Sequence, residues 1–232
     1  MKVLLVAPLL HDDALTRITL DWASQLRDGL YAIGQDVEAV IGIEAVRGRI
    51  EDLLISEKGN PGIFVFLDHG GSDALFGSDG KALIDARNLT LLHKKFVYAL
   101  ACKAAGHLGS LAVEYGAAGF LGFQDNFYIW KDSPAVFGLC LLSGLKVLIE
   151  EGKNSKDARA RIVLETNAAV RRLKRHPQYD PGAHRVLIAA LLHNRDSVVC
   201  LGGDGWRFGR SCESAGIGSK GGIRRVQPVT VS

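Results

Sequence analysis

Apolar residues follow two rhythms along the chain. Residues 2–10, KVLLVAPLL, form an unbroken apolar run, the pattern of a strand buried on both faces. Leu15, Ile18, Trp22, Leu26, Leu30 and Ile33 then recur at three- and four-residue steps, which predicts an amphipathic helix closed by Gly34. DVEAVIG reads as a second strand and EAVRGRIEDLLISEKG as a second helix ending at Gly59. GIFVFLDHGG and KKFVYALACKAAG are two further apolar strands. Between them, SDALFGSDGKALIDARNLTLLH carries a tight Ser-Asp-Gly turn, expected in a small hairpin, with a short helix near Asn88.

The remainder alternates in the same way. HLGSLAVEYG predicts a helix, AAGFLGFQD a fifth strand and SPAVFGLCLLSGLKVLIEEG a strongly apolar helix. SKDARARIVLETNAAVRRLKRH predicts an amphipathic helix with Ser155 as N-cap and a basic last turn. PGAHRVLIAALLHN predicts a helix with Pro181 in its first turn, and SVVCLGG a last strand. Strands alternating with helices predict an α/β fold with a mostly parallel sheet. The expected organisation is one domain over residues 1–205, followed by a glycine-rich basic tail over 206–232 expected to be flexible.

Composition narrows the function classes. The 232 residues are 47% hydrophobic and 23% charged, with a net charge of +3, so charge alone does not argue for nucleic acid or a membrane surface. No apolar run reaches the ~20 residues a membrane span needs. Asp12 and Asp13 follow the first apolar run at once, which argues against a signal peptide. Cys102, Cys140, Cys200 and Cys212 show no Cys-x-x-Cys pair, so a disulfide framework or zinc site is not expected and a reducing cytoplasm is. His93, His107, His184 and His193 lack ligand spacing, and Cys140 and Cys200 sit in apolar runs as packing residues. There is no Gly-x-Ser-x-Gly elbow, no Gly-x-Gly-x-x-Gly after the first strand and no Walker A sequence.

Candidate chemistry lies where two apolar strands end. IFVFLDHGG stops at His69, and FVYALAC stops at Cys102. If these strands are parallel neighbours, both side chains emerge at one carboxyl edge, where open α/β sheets bind ligands. A thiol beside an imidazole is the requirement for an activated cysteine nucleophile. The N–H groups of Gly70 and Cys102 are candidate donors to a tetrahedral oxyanion.

An apolar strand ending in His-Gly, then one ending in Ala-Cys, resembles the caspase-like cysteine peptidases: caspases, metacaspases, gingipains, separases and bacterial CHAT-type proteases. After Cys102, KAAGHLGSLAVEYGAAGFLGF follows the family's course, with Gly116 and Ala117 at its Gly-Ala step. The resemblance covers residues 63–125. It implies a three-layer, caspase-like α/β/α sandwich and peptide-bond hydrolysis without a cofactor or metal. His69 is then the base, Cys102 the nucleophile, and Gly70 and Cys102 the oxyanion hole. A protein or peptide substrate and a regulatory protein partner are implied, with no membrane or nucleic acid.

Two departures stand out. Lys103-Ala104-Ala105-Gly106 replaces the Ser-Gly many members carry after the cysteine, and Leu100 replaces the metacaspase acid two residues before it. Asp125 matches the separase aspartate that receives a P1 arginine, so the resemblance implies cleavage after a basic residue; capping of the next turn is the competing role for Asp125. Phe127 and Trp130 are either pocket walls or core. Asp73, Asp79 and Asp85 in the hairpin region are lower-ranking candidates to bind calcium, as in some metacaspases, since spaced turn aspartates are usually solvated. A catalytically silent scaffold of the same fold, and a hydrolase of small amides or esters, are the alternatives.

Overall fold

The computed structural model describes residues 1–10, 13–56, 61–176 and 179–209. Eight strands and seven α-helices are described: β1 (Lys2–Pro8), α1 (Ala14–Ala32), β2 (Val37–Gly42), α2 (Arg47–Ile55), β3 (Pro61–Leu67), β4 (Ala74–Phe76), β5 (Ala82–Asp85), β6 (Phe96–Leu100), α3 (His107–Glu114), β7 (Gly119–Phe123), α4 (Pro134–Leu141), α5 (Ser143–Ile149), α6 (Ser155–Arg175), α7 (Pro181–Ser197) and β8 (Val198–Gly202). A 3-10 turn at Leu89–Leu92 supplies the short helix expected near Asn88.

Six strands form one sheet in the order β2-β1-β3-β6-β7-β8. All neighbours are parallel except β7 and β8. The small β4–β5 hairpin stands apart from this sheet. Because β1, β3, β6 and β7 are parallel, the loops after them share one rim. β1 hands the chain to β2 on one side, while β3 lies on its other side. The strand order therefore reverses at the β1/β3 boundary, the place where open α/β sheets form a crevice.

Side-chain alternation divides the core in two. Val3, Leu5, Ile63, Val65, Leu67, Phe96, Tyr98 and Leu100 meet Trp22 and Leu30 of α1, together with Phe137, Leu145, Ile162 and Leu187 of the later helices. Leu4, Val6, Phe64, Phe66, Val97, Ala99 and Ala101 meet Ile50 and Leu54 of α2, Leu108 of α3, and Leu75 and Ile84 of the hairpin. Helices thus cover both faces, which is why the central strands read as continuous apolar runs. Among the described residues, no helix is long and apolar enough to cross a membrane.

Three expectations change. The apolar stretch after β7 is two helices that break at Leu142, not one. Asn154 rather than Ser155 caps α6: the Asn154 side chain accepts the Asp157 N–H, whereas the Ser155 hydroxyl donates to the Gly203 carbonyl at 2.8 Å. The packed chain runs past 205, because Trp206 is buried and stacks on Phe96 with ring centroids 4.6 Å apart, and Phe208 joins the same core. Residues 210–232, where the flexible tail and Cys212 are expected, lie outside the described residues, as does Gly59.

Candidate active site

β3 and β6 are adjacent and parallel, with Leu67 paired to Leu100. His69 and Cys102 each lie two residues past that pair, beyond the ends of their strands. Leu67 and Leu100 both belong to the core beneath α1, and Cys102 packs against that same core. His69 also turns toward α1, since its Nε2 lies 2.7 Å from Oδ2 of Asp13, the residue capping that helix. Both side chains therefore leave neighbouring strand ends toward the core beneath α1.

Asp13 is the functional candidate that sequence reading passed over. Its Oδ1 accepts the N–H groups of Leu15 at 2.7 Å and Thr16 at 3.3 Å, satisfying the first turn of α1, while Oδ2 holds the imidazole. Partial burial pushes its carboxyl up, but the Thr16 amide and His69 outweigh this, and the net shift is below the usual aspartate value. A capping Asp directly before an amphipathic helix was a readable signal. Its partner was not, because pairing with His69 spans 56 positions and depends on β1 lying beside β3.

Asp68 forms a second carboxylate beneath the histidine. It is 1% exposed and accepts the Thr16 hydroxyl on both oxygens, at 3.0 and 3.1 Å. Its Oδ1 is 3.7 Å from His69 Nε2. Burial pushes its carboxyl up to about 6, against the opposing pull of His69 and the Thr16 hydrogen bond. Asp13 engages Nε2, so Nδ1 is the ring nitrogen on the side away from that carboxylate.

The cysteine is fixed by backbone. Phe127 N–H donates to Cys102 Sγ at 3.3 Å, and Sγ lies 3.8 Å from the Phe127 carbonyl, so one residue's backbone holds the sulfur from both sides. The following turn is tied to the end of β7: Lys103 N–H donates to the Asp125 carbonyl at 3.0 Å and Ala105 N–H to that of Phe123 at 2.9 Å. Lys103 adopts a left-handed φ of 56°, uncommon for a residue with a side chain. The Lys103–Gly106 departure thus keeps a tight turn, at the cost of local strain. Leu100 is fully buried in the core, so no acid anchor exists at that position.

Gly70 is needed for proximity rather than for an unusual turn. Its φ lies outside the left-handed region, but a Cβ there would sit 2.8 Å from Cβ of Ala101. Glycine lets the loop after β3 press against the residue preceding the cysteine. A short bridge joins Gly70 to Leu75, using Gly71 N–H to the Ala74 carbonyl at 2.8 Å and Phe76 N–H to the His69 carbonyl at 3.1 Å. Neither bond uses the Gly70 N–H.

Asp125 lies beside the cysteine turn through its carbonyl. Its carboxylate is exposed and accepts the Asn126 N–H at 2.7 Å, the local cap weighed against a pocket role. Phe127 is core, stacked on Phe123 at 5.0 Å; Trp130 is half-buried against the same cluster. The hairpin aspartates are engaged otherwise: Asp85 binds Arg47 and Arg87, Asp73 pairs with His107, and Asp79 with Lys81. Among the described residues, no cluster of metal-ligating side chains occurs.

No family model matches this chain, and no curated protein matches it in sequence.

Proposed function

We propose that this chain is a caspase-like cysteine endopeptidase acting through Cys102 and His69, with Asp13 orienting the imidazole. The observation that carries this reading is the parallel pairing of β3 with β6, whose ends lead directly into His69 and Cys102 on the side of α1. The Asp13 bond to Nε2 supports it, because a fixed ring with Nδ1 available is what a base for a thiol requires.

In this mechanism the Cys102 thiol gives its proton to His69 Nδ1, and the sulfur attacks the peptide carbonyl. The oxyanion takes hydrogen bonds from the N–H groups of Gly70 and Cys102. As the carbon–nitrogen bond breaks, the imidazolium passes its proton to the leaving amine. Water, deprotonated by His69, then hydrolyses the thioester and restores the thiol. The exposed carboxylate of Asp125, a residue whose carbonyl accepts the Lys103 N–H of the cysteine turn, supports a basic P1 residue. We place this activity in the cytoplasm, on protein substrates and under a protein regulator, without a cofactor.

The test is turnover of a fluorogenic peptide panel ending in Arg, Lys, Asp or Leu. Cleavage by the wild-type protein that is lost in both Cys102→Ala and His69→Ala supports the assignment. Turnover of esters but of no peptide indicates a small-substrate hydrolase, and no turnover with slow, equal alkylation of every cysteine indicates a scaffold.

A further inference from the structure

At the β1/β3 switch point lies a shallow, open cavity of about 350 Å³ lined by Leu10, Asp13, His69, Gly70, Phe76 and Gly80. It touches the imidazole and the carboxylate that holds it, but neither Cys102 nor Asp125. Its far wall is the β4–β5 hairpin, which is not free to drift: the Phe76 N–H is bonded to the His69 carbonyl at 3.1 Å. Phe76 and Leu10, both half-buried, supply its apolar surface. The Asp13 carboxylate at its edge is held by His69 and by the first turn of α1, and it keeps its negative charge.

Resting on the peptidase reading, we propose that this cavity is the leaving-group subsite and that Phe76 with Leu10 selects an apolar side chain immediately after the cleaved bond. The chemistry sets the side. In acyl transfer to a thiol, the acyl half stays with the sulfur, while the departing amine must reach the imidazole that protonates it. A cavity that contacts His69 and not Cys102 therefore receives the residue bearing that amine. Its apolar surface suits a leucine- or phenylalanine-sized group, and the Asp13 carboxylate at its edge repels an acid.

The experiment incubates the full chain with a peptide library varied on both sides of the cleaved bond and identifies the new termini by mass spectrometry. Individual peptides differing only at P1′ are then compared by kcat/KM. The subsite predicts that Leu or Phe at P1′ exceeds Asp or Gly by about tenfold or more. Phe76→Ala reduces that ratio to within about threefold, Phe76→Leu retains most of it, and Leu10→Ala gives an intermediate loss. Cleavage with a flat P1′ profile, or a preference unchanged in both Phe76→Ala and Leu10→Ala, overturns the subsite and leaves the peptidase reading standing. No cleavage of any library member, with Cys102 unreactive, overturns both.

Discussion

Replacing Asp68 by Asn separates the electrostatics under His69 from its packing. In the folded chain this carboxyl is 1% exposed and pushed up to about 6, chiefly by burial, from an ordinary value of 3.8. An acid raised in the native state destabilises it wherever the unfolded chain is ionised. Below about pH 4 both states hold the proton and there is no cost. As pH rises through the window from 3.8 to 6, the unfolded state ionises first and native stability falls. Above that window the full cost applies, about 3 kcal/mol from a displacement of roughly 2 pH units. Asn keeps the shape and an oxygen for the Thr16 hydroxyl but cannot titrate. Urea unfolding of both proteins at about pH 4.5 and pH 7.5 therefore tests the cost directly: the stability of Asp68→Asn relative to wild type should improve by about 2 kcal/mol between these conditions. Any fixed penalty for the extra amide cancels in the comparison. A relative stability identical at both pH values would refute the claim that burial dominates at Asp68.

Other positions make equally specific demands. Asp13→Asn should lower kcat/KM by about 10–100-fold with little change in KM, because the ring loses its orienting charge, and Asp13→Glu should recover part of it in the same steady-state assay. Gly70→Ala should cost about 1–3 kcal/mol in urea unfolding and depress activity further, since its Cβ meets Ala101 at 2.8 Å beside the cysteine. Tyr98→Phe should cost about 1–3 kcal/mol by the same measurement, because the fully buried Tyr98 hydroxyl donates to the Leu141 carbonyl where α4 ends.

The fold was legible where burial dictates the pattern. Strands β1, β3 and β6 have both faces covered, so Val3–Ala7 and Ile63–Leu67 read as unbroken apolar runs and α1 as a stripe. The ends of elements were less legible. Asn154 and Ser155 are both good capping residues, and only the Ser155 contact with Gly203 decides between them. Trp206 lay in a glycine-rich stretch that reads as a tail, yet it stacks on Phe96, a contact across 110 positions that local pattern does not encode. At the site, His69 and Cys102 were visible because each terminates a strand. Asp13, Asp68 and Phe76 were not assigned roles, since their partners come from a parallel order that brings β1 next to β3 and from a hairpin folded back onto the His69 carbonyl.

The central claim is that Cys102 is activated by His69, and differential alkylation tests it most directly. Burial pushes the Cys140 thiol up to about 11 and raises that of Cys200, so both serve as slow internal references. Limited iodoacetamide treatment near neutral pH, read by peptide mass spectrometry, should modify Cys102 at least about tenfold faster than either reference, with the excess lost in His69→Ala. Equal labelling rates in the wild-type protein, or a Cys102 rate untouched by His69→Ala, would contradict it.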